Sequence, residues 1–411
     1  MLGIKNIKKR GIFNYLKGDK ALWGVIALLA IFSFIPVYSS SSNIAYLYGD
    51  GGTFKFLITH FMHLFLGFVI IAVIHRVPYR YFRGLSIIAM PIVFLLLILT
   101  IAQGTTIDGA NASRWIKIPF INKTIQTSTV AGVVLMVFVA RYLSKIQHKN
   151  ITFKESFVWL WAPVGAVLIC ILPANLSTTA IIFAMVMLLV FIGGYPIKYI
   201  GAMCLAGIVV LSIFILTAKA FPGLLSNRVD TWISRVENFA DSEATEADYQ
   251  IEKAKTAIAT GGITGIGVGK SVQRNFLPQS SSDFIFAIIV EEMGLIGGII
   301  VLLAYLFILF RIIVIATKAT TVFGKLLVIG VGLPIIFQAF INIGVAVEVF
   351  PVTGQTLPLI SSGGTSIWMT CAAFGIILSV SVKQEDEEVK LNEEEEVEDS
   401  ENPLDVLSEA L

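Results

Sequence analysis

Apolar runs of membrane length recur about ten times along this chain, each near the 17 to 25 residues needed to cross roughly 30 Å of hydrocarbon. They begin near Ala21, Phe56, Gly84, Gln126, Phe157, Asn175, Tyr199, Phe284, Val322 and Ile360. Lipid offers the backbone no hydrogen bonds, so each run must satisfy its own amides and folds as a helix. The pattern predicts an all-α, polytopic integral membrane protein with about ten transmembrane helices. Composition excludes a soluble globule: of 411 residues 56% are hydrophobic and 14% charged, where a soluble domain carries about a quarter charged. The fifth and sixth runs meet at Leu172-Pro173-Ala174-Asn175 and read either as two spans or as a pair of interrupted half-helices.

Basic residues stay on the cytoplasmic side, so Lys and Arg in short loops orient the bundle. Lys5, Lys8, Lys9, Arg10, Lys17 and Lys20 precede the first run; Arg76, Arg80, Arg83, Arg141, Lys145, Lys149, Lys154, Lys198, Arg311, Lys318 and Lys325 fall on the same side. Lys55, Arg114, Lys117 and Lys123 fall on the other. Both termini are therefore expected in the cytoplasm, with residues 1–20 a basic N-terminus and 21–383 the transmembrane domain. One long extracytoplasmic loop, about 222–283, separates spans seven and eight. The acidic tail, 384–411, has no apolar periodicity and is expected to be disordered, or to dock a basic partner. No A-x-A cleavage site follows the first run, which reads as a retained anchor. Cys170, Cys204 and Cys371 lie inside apolar runs at unrelated spacings and suggest neither a disulfide nor a metal site.

Where that long loop enters the eighth run, Ser280-Ser281-Ser282-Asp283-Phe284-Ile285-Phe286 puts a carboxylate at the membrane junction. Glu291 and Glu292 follow two helical turns later. Acids at membrane depth cost roughly 2.5–3.5 kcal/mol, so they imply function or a buried polar partner.

Other segments carry chemistry more ambiguously. Arg114-Trp115-Ile116-Lys117 offers phosphate donors beside an interfacial ring, although an ordinary interfacial Trp with a snorkelling Arg looks the same. Gly261-Gly262-Ile263-Thr264-Gly265-Ile266-Gly267-Val268-Gly269-Lys270-Ser271 is not a nucleotide phosphate loop, because Thr264 stands where that motif needs glycine. Its amides are expected either to cradle a pyrophosphate, with Lys270 and Arg274 nearby, or to serve as a hinge. His60 and His63 lie one turn apart with no third ligand, so a packed or interfacial pair is expected rather than zinc. From Glu348 to Ser366, prolines, glycines and hydroxyls crowd between two spans. Such backbone survives at membrane depth only where protein or a wet cavity satisfies it, which predicts the re-entrant lip of a polar cavity, with a plain turn between the spans as the alternative.

Taken together, Val37-Tyr38-Ser39, Asp283-Phe284-Ile285-Phe286 with Glu291-Glu292-Met293-Gly294, Pro351-Val352-Thr353-Gly354-Gln355-Thr356-Leu357-Pro358 and Gly363-Gly364-Thr365-Ser366 resemble the SEDS family. These are the shape, elongation, division and sporulation proteins, integral-membrane peptidoglycan polymerases that include RodA and FtsW. The Arg114 to Pro119 run, the Pro351 to Gln355 run and the acidic tail look more like the division branch, FtsW, than like elongation-type RodA.

The resemblance implies a glycosyltransferase that joins lipid II into glycan strands by an inverting transfer, with undecaprenyl pyrophosphate leaving. Asp283 matches the family's essential aspartate and is implied to be the general base. Arg114, Lys117, Lys270, Arg274, Ser361 and Ser362 are candidate contacts for substrate and pyrophosphate, Glu291 and Glu292 candidate supporting acids, and a divalent ion, Mg or Mn, a candidate helper. The resemblance also implies a class B penicillin-binding protein as transpeptidase partner, other divisome proteins, no nucleic acid, and an active site on the outer face of the bacterial inner membrane. Two family patterns are altered: Gln-Pro-Ser-Glu with a following lysine becomes Gln126-Thr127-Ser128-Thr129 and Gly132, and Pro-Asp-x-Gly-Thr becomes Pro173-Ala174-Asn175-Leu176-Ser177-Thr178. A lipid II flippase using Glu291, Glu292 and the broken segments at Pro173 and Pro358, or a non-catalytic scaffold, are the competing readings.

Overall fold

The computed structural model describes residues 17–48, 52–103, 105–107, 110–117, 124–147, 152–220, 246–277 and 280–400. Residues 1–16, Asp108, Gly109, Pro119, the 221–245 part of the long loop and the tail beyond Ser400 lie outside these. Helices dominate: α1 (Lys20–Tyr48), α2 (Gly52–Ile74), α3 (Arg80–Gln103), α4 (Thr127–Ile146), α5 (Phe153–Ile171), α6 (Leu176–Ile192), α7 (Ile197–Ala220), α8 (Glu246–Gly261), α9 (Ile285–Lys318), α10 (Val322–Ala346) and α11 (Gly364–Ser400). Among the described residues nine of these are long and apolar enough to cross a membrane, and α6, at 17 residues, is a shorter apolar helix.

The fifth and sixth runs are two helices. Residues 172–175 turn between α5 and α6, and Asn175 Oδ1 caps α6 by accepting from Thr178 N (3.2 Å). Within α5, residues Phe157–Trp161 widen to a π-helical turn. The membrane part is all-α, but the loop before α4 adds a small antiparallel sheet in the order β1-β2-β3: β1 (Thr105–Ile107), β2 (Ala110–Lys117) and β3 (Thr124–Gln126). Trp115 pairs with Gln126 and Lys117 with Thr124. Helix-period hydropathy cannot announce such short strands, which the β-branched and aromatic side chains of Trp115, Ile116 and Ile125 favour.

A second departure concerns the tail. Helix α11 runs on to Ser400, so residues 384–400, expected to be disordered, are helical. They are rich in Glu and contain neither Gly nor Pro, and Glu, Lys and Leu are strong helix formers.

The core is the seam where α1, α2, α4, α9, α10 and α11 pack together, with Leu22, Ile26, Leu135, Val139, Ile308, Leu327 and Phe374 sealed from solvent. Helix α7 is the opposite case: none of its most apolar stretch is buried, and it leans on the bundle where Gly207 meets the Phe183 ring of α6. That is the surface expected of a lipid-facing helix.

One end of the bundle gathers the loops that the basic residues mark. Asp19 Oδ1 caps α1 at Leu22 N (2.7 Å), and the same carboxylate receives Arg311 from α9. Asp19 N donates to Ser381 Oγ of α11 (2.9 Å), and Tyr79 OH pairs with Thr321 Oγ1 (2.9 Å). The starts of α1, α3 and α10 and the ends of α2, α9 and the apolar part of α11 therefore share one side, and Asp283 lies at the other end of α9.

Candidate active site

Asp283 sits in the turn that leads into α9, and its backbone is held carbonyl by carbonyl. Ser281 O accepts from Ser362 N (2.9 Å) and Ser362 Oγ (3.0 Å), and Ser282 O accepts from Ser361 Oγ (2.6 Å). Asp283 O accepts from Asn342 Nδ2 of α10 (2.8 Å). Three consecutive carbonyls are thus fixed from two other segments. Ser361 and Ser362, expected to face substrate, spend these bonds on the chain that carries Asp283.

The segment from Pro351 to Leu357 is irregular backbone at the end of α10, and it forms one wall of a cavity of about 120 Å³. Its polar lining includes Gln126, Ser128, Thr178, Gln338, Gln355 and Thr356, above an apolar floor that includes Met136, Ile182 and Ile335. Among the described residues no charged side chain lines it. A Cβ placed on Gly354 of this wall would lie 3.5 Å from Asp283 Oδ2, so the carboxylate stands against a residue of the cavity's wall.

The wall is pinned by amides. Asn342 Nδ2 also donates to Gln355 O (2.7 Å), Gln338 Nε2 to Thr356 Oγ1 (2.9 Å), and Gln355 Nε2 to Thr178 Oγ1 of α6 (3.3 Å). Thr129 and Gly132, two of the positions where this chain departs from the family pattern, line the same cavity.

Arg114 reaches the far side of this region from β2. Its Nε donates to Ala174 O (2.9 Å) in the α5–α6 turn, next to Asn175 and Ser128. Lys117 is exposed at the end of the same strand.

Lys270 and Arg274 belong to a different construction. Helix α9 is broken at Gly294 (φ 70°, ψ −173°), where an unbroken helix would bond Leu295 N to Glu291 O and Ile296 N to Glu292 O. The glycine-rich run fills the gap. Leu295 N donates to Gly262 O (2.9 Å) and Ile296 N to Ile263 O (3.3 Å), while Ile266 N and Gly267 N donate to Glu291 O and Glu292 O (both 3.0 Å). These two amides are therefore not a pyrophosphate cradle, and the run is a backbone clasp rather than a hinge.

The Glu291 and Glu292 side chains, 0% and 2% exposed, lock the segment that follows. Glu291 accepts from Ser271 Oγ, Val272 N (3.0 Å) and Gln273 N (3.2 Å); Glu292 accepts from Ser39 Oγ and Ser271 N (3.2 Å). Arg274 Nη1 donates to Ser39 O (3.2 Å) and Oγ (2.9 Å), which joins α1 to the same knot. The acids are buried because they are hydrogen-bonded several times over, and a transporter reading that used them as open binding groups loses its main support. Exposed Lys270 follows Gly269 on the rim of the clasp.

The histidines take the packed option: His60 Nε2 pairs with Ser33 Oγ (2.7 Å), and His63 lies edge-on to Trp368. Among the described residues no three His, Cys, Asp or Glu side chains gather to hold a metal ion.

Sequence reasoning missed Gln338 and Asn342. Their signal was present, two carboxamides four residues apart on one face of a span whose only charged residue, Lys325, stands at its start. Polar groups there act between helices, and they hold both the cavity wall and Asp283.

The family model for FtsW, RodA and SpoVE cell cycle proteins matches residues 19–386. The chain belongs to this family. Among its FtsW/RodA/SpoVE relatives is a probable peptidoglycan glycosyltransferase FtsW from Coxiella burnetii, 31% identical over 88% of this chain and 96% of the relative. The stage V sporulation protein E of Bacillus subtilis is 32% identical over 88% of this chain and 96% of its own length. The fold matches a solved peptidoglycan synthase complex described as coordinating polymerization and crosslinking, with TM-score 0.69 and 24% identity over 89% of this chain and 98% of that one. It also matches Thermus thermophilus RodA, with TM-score 0.64 and 22% identity over 90% and 99%.

Proposed function

We propose that this FtsW/RodA/SpoVE protein is a peptidoglycan glycosyltransferase that polymerises lipid II, in the division branch, with Asp283 as general base. The observation that carries the mechanism is the placement of the Asp283 carboxylate against the wall of a cavity with a neutral polar lining and an apolar floor. Neutral amides and hydroxyls suit a sugar, and the apolar floor suits the lipid attached to it. The 4-hydroxyl oxygen of the acceptor glycan bonds to the donor's anomeric carbon as the bond to pyrophosphate breaks. The bonding pair leaves with undecaprenyl pyrophosphate, and the hydroxyl proton passes to Asp283. Such base assistance is typically worth about 10²–10⁴ in rate. Inversion in one displacement needs no second carboxylate.

The leaving pyrophosphate calls for positive charge. Arg114 and Lys117 on β2 are assigned that task, since Arg114 lies beside Ser128, which also lines the cavity. A Mg or Mn ion belongs to the same proposal as an expectation, held chiefly by the substrate phosphates, since among the described residues no three His, Cys, Asp or Glu side chains gather to hold one. No step above depends on it. The site is placed on the extracytoplasmic face of the bacterial inner membrane, on the charge asymmetry of the loops. A class B penicillin-binding protein is the proposed partner, and the fold match to a complex that couples polymerization to crosslinking supports it.

The test is polymerisation of purified lipid II by the protein co-purified with its transpeptidase, comparing wild type with Asp283→Asn in one detergent. Strands from wild type and none from a folded, partner-bound variant are expected. Equal products would overturn the base assignment, and strands from neither would return the flippase and scaffold readings.

A further inference from the structure

Asn342 is 1% exposed and lies one turn beyond Gln338 on α10. Both groups that its Nδ2 faces, Asp283 O and Gln355 O, are carbonyl oxygens. A carboxamide oxygen cannot take that place, so the chemistry of its neighbours fixes the orientation of the side chain. One amide nitrogen thereby bridges the residue that bears the carboxylate and the irregular segment that walls the cavity. Asp283 O is the last of the three held carbonyls before α9 begins, and Asn342 is the group that holds it from α10. Among the described residues Asn342 Oδ1 is buried without a partner. A buried acceptor left unpaired destabilises a fold, so this side chain is a poor choice for stability and a specific one for its two donors.

We propose that Asn342 is a positioning residue that sets the Asp283 carboxylate against the ligand in the cavity. The proposal rests on the glycosyltransferase reading of Asp283 and the cavity. A shift of the Asp283 backbone by an ångström would move the base away from the attacking hydroxyl, while the cavity wall stays held by the Gln338–Thr356 and Gln355–Thr178 bonds. Loss of the bridge therefore acts on turnover more than on binding.

The experiment is steady-state lipid II polymerisation by the transpeptidase-bound protein, per folded molecule, for wild type, Asn342→Asp, Asn342→Ala and Asn342→Ser. Asp keeps the shape but turns an acceptor toward two acceptors, Ala removes both donors, and Ser keeps one on a shorter arm. The expected result is a kcat about 10²-fold lower for Asp and Ala with KM within about twofold, the cost of an ångström-scale misplacement, and Ser in between. The acid limb of the pH–kcat profile should move with them, because the carboxylate has changed surroundings. Wild-type kcat and pH profile in Asn342→Asp would overturn the proposal and leave the glycosyltransferase reading standing, as would a loss confined to KM or one that merely tracks the folded fraction. A wild type that makes no strands overturns both.

Discussion

The carbonyl oxygen of Ile263 occupies the space where a side chain on Gly294 would have to go: a Cβ there would come within 2.2 Å of it. The same close approach recurs at Gly261, 2.0 Å from Val290 O, and at Gly265, 2.2 Å from Glu292 O. Three glycines therefore let two stretches of backbone, some thirty residues apart in the chain, trade hydrogen bonds that a helix normally keeps to itself. The clasp anchors α8 and the following loop to the helix that begins just after Asp283. Lys255 of α8 adds a surface pair to Glu348 beyond α10 (2.5 Å).

Gly294→Ala should prevent folding, since the obstacle is backbone on both sides and φ is 70°. Gly262→Ala tests the contrast within the same run. Gly262 also has positive φ (54°), but nothing lies within 4 Å of its Cβ position. Its expected cost is only the roughly 1–2 kcal/mol of left-handed backbone. Yield of monodisperse protein and its thermal unfolding in detergent separate the two. A folded Gly294→Ala of wild-type stability would show that the interlock does not exist.

Glu291 should behave as a hydrogen-bond acceptor rather than an acid. In Glu291→Gln the remaining oxygen can still take Val272 N and Gln273 N, and the new amide can donate to Ser271 Oγ, so stability and polymerisation should largely survive. Glu291→Ala strands buried donors at about 1–3 kcal/mol each and should unfold the protein at much lower temperature. Thermal melts paired with strand synthesis check this. Activity abolished in a folded Glu291→Gln would instead make the group a proton carrier.

The spans, where they begin and the gathering of basic loops were legible in the sequence, because hydropathy and charge act locally and through the membrane itself. The position of Asp283 at a junction was legible for the same reason, and the Pro351–Leu357 segment announced irregular backbone that a cavity must satisfy. Roles that depend on pairing distant backbone were not. Glycines 261–267 looked like a hinge or a cradle because their partner, the break at Gly294, is a tertiary fact. Ser361 and Ser362 looked like substrate contacts because residue type cannot say that Ser281 and Ser282 lie opposite them. Helical continuation of the tail was hidden by its charge, although its local propensity favours it.

Asp19 and Arg311 should show coupling at the basic end of the bundle. The carboxylate is mostly shielded, with 7% side-chain exposure against 23% for the guanidinium, so water screens the pair only in part. Asp19 also caps α1, so Asp19→Asn keeps a capping oxygen while removing the charge. Arg311→Gln and Asp19→Asn should each lower stability, and the double variant should lose less than their sum by about 0.5–3 kcal/mol. Additive losses in a double-mutant cycle would mean that the contact contributes nothing as a pair.

Gly132 decides whether the cavity is where substrate sits. It lies on α4, lines the cavity, and a Cβ built there meets only the Ile182 side chain, Cδ1 at 3.6 Å and Cγ1 at 3.8 Å, ordinary contacts. Gly132→Ala should therefore fold well and gain about 0.5–1 kcal/mol from helix propensity. Gly132→Leu puts an isobutyl group in place of a hydrogen on the cavity's lining and narrows it. Apolar filling next to Met136 and Ile182 should hold or raise the unfolding temperature, so a loss of function could not be blamed on the fold. If lipid II occupies this cavity, Gly132→Leu should raise KM at least about tenfold, the lower end of what about 1–3 kcal/mol in a hydrophobic pocket delivers. Polymerisation by Gly132→Leu with the wild-type KM would move the substrate elsewhere and leave Asp283 against the wall of a cavity that serves another purpose.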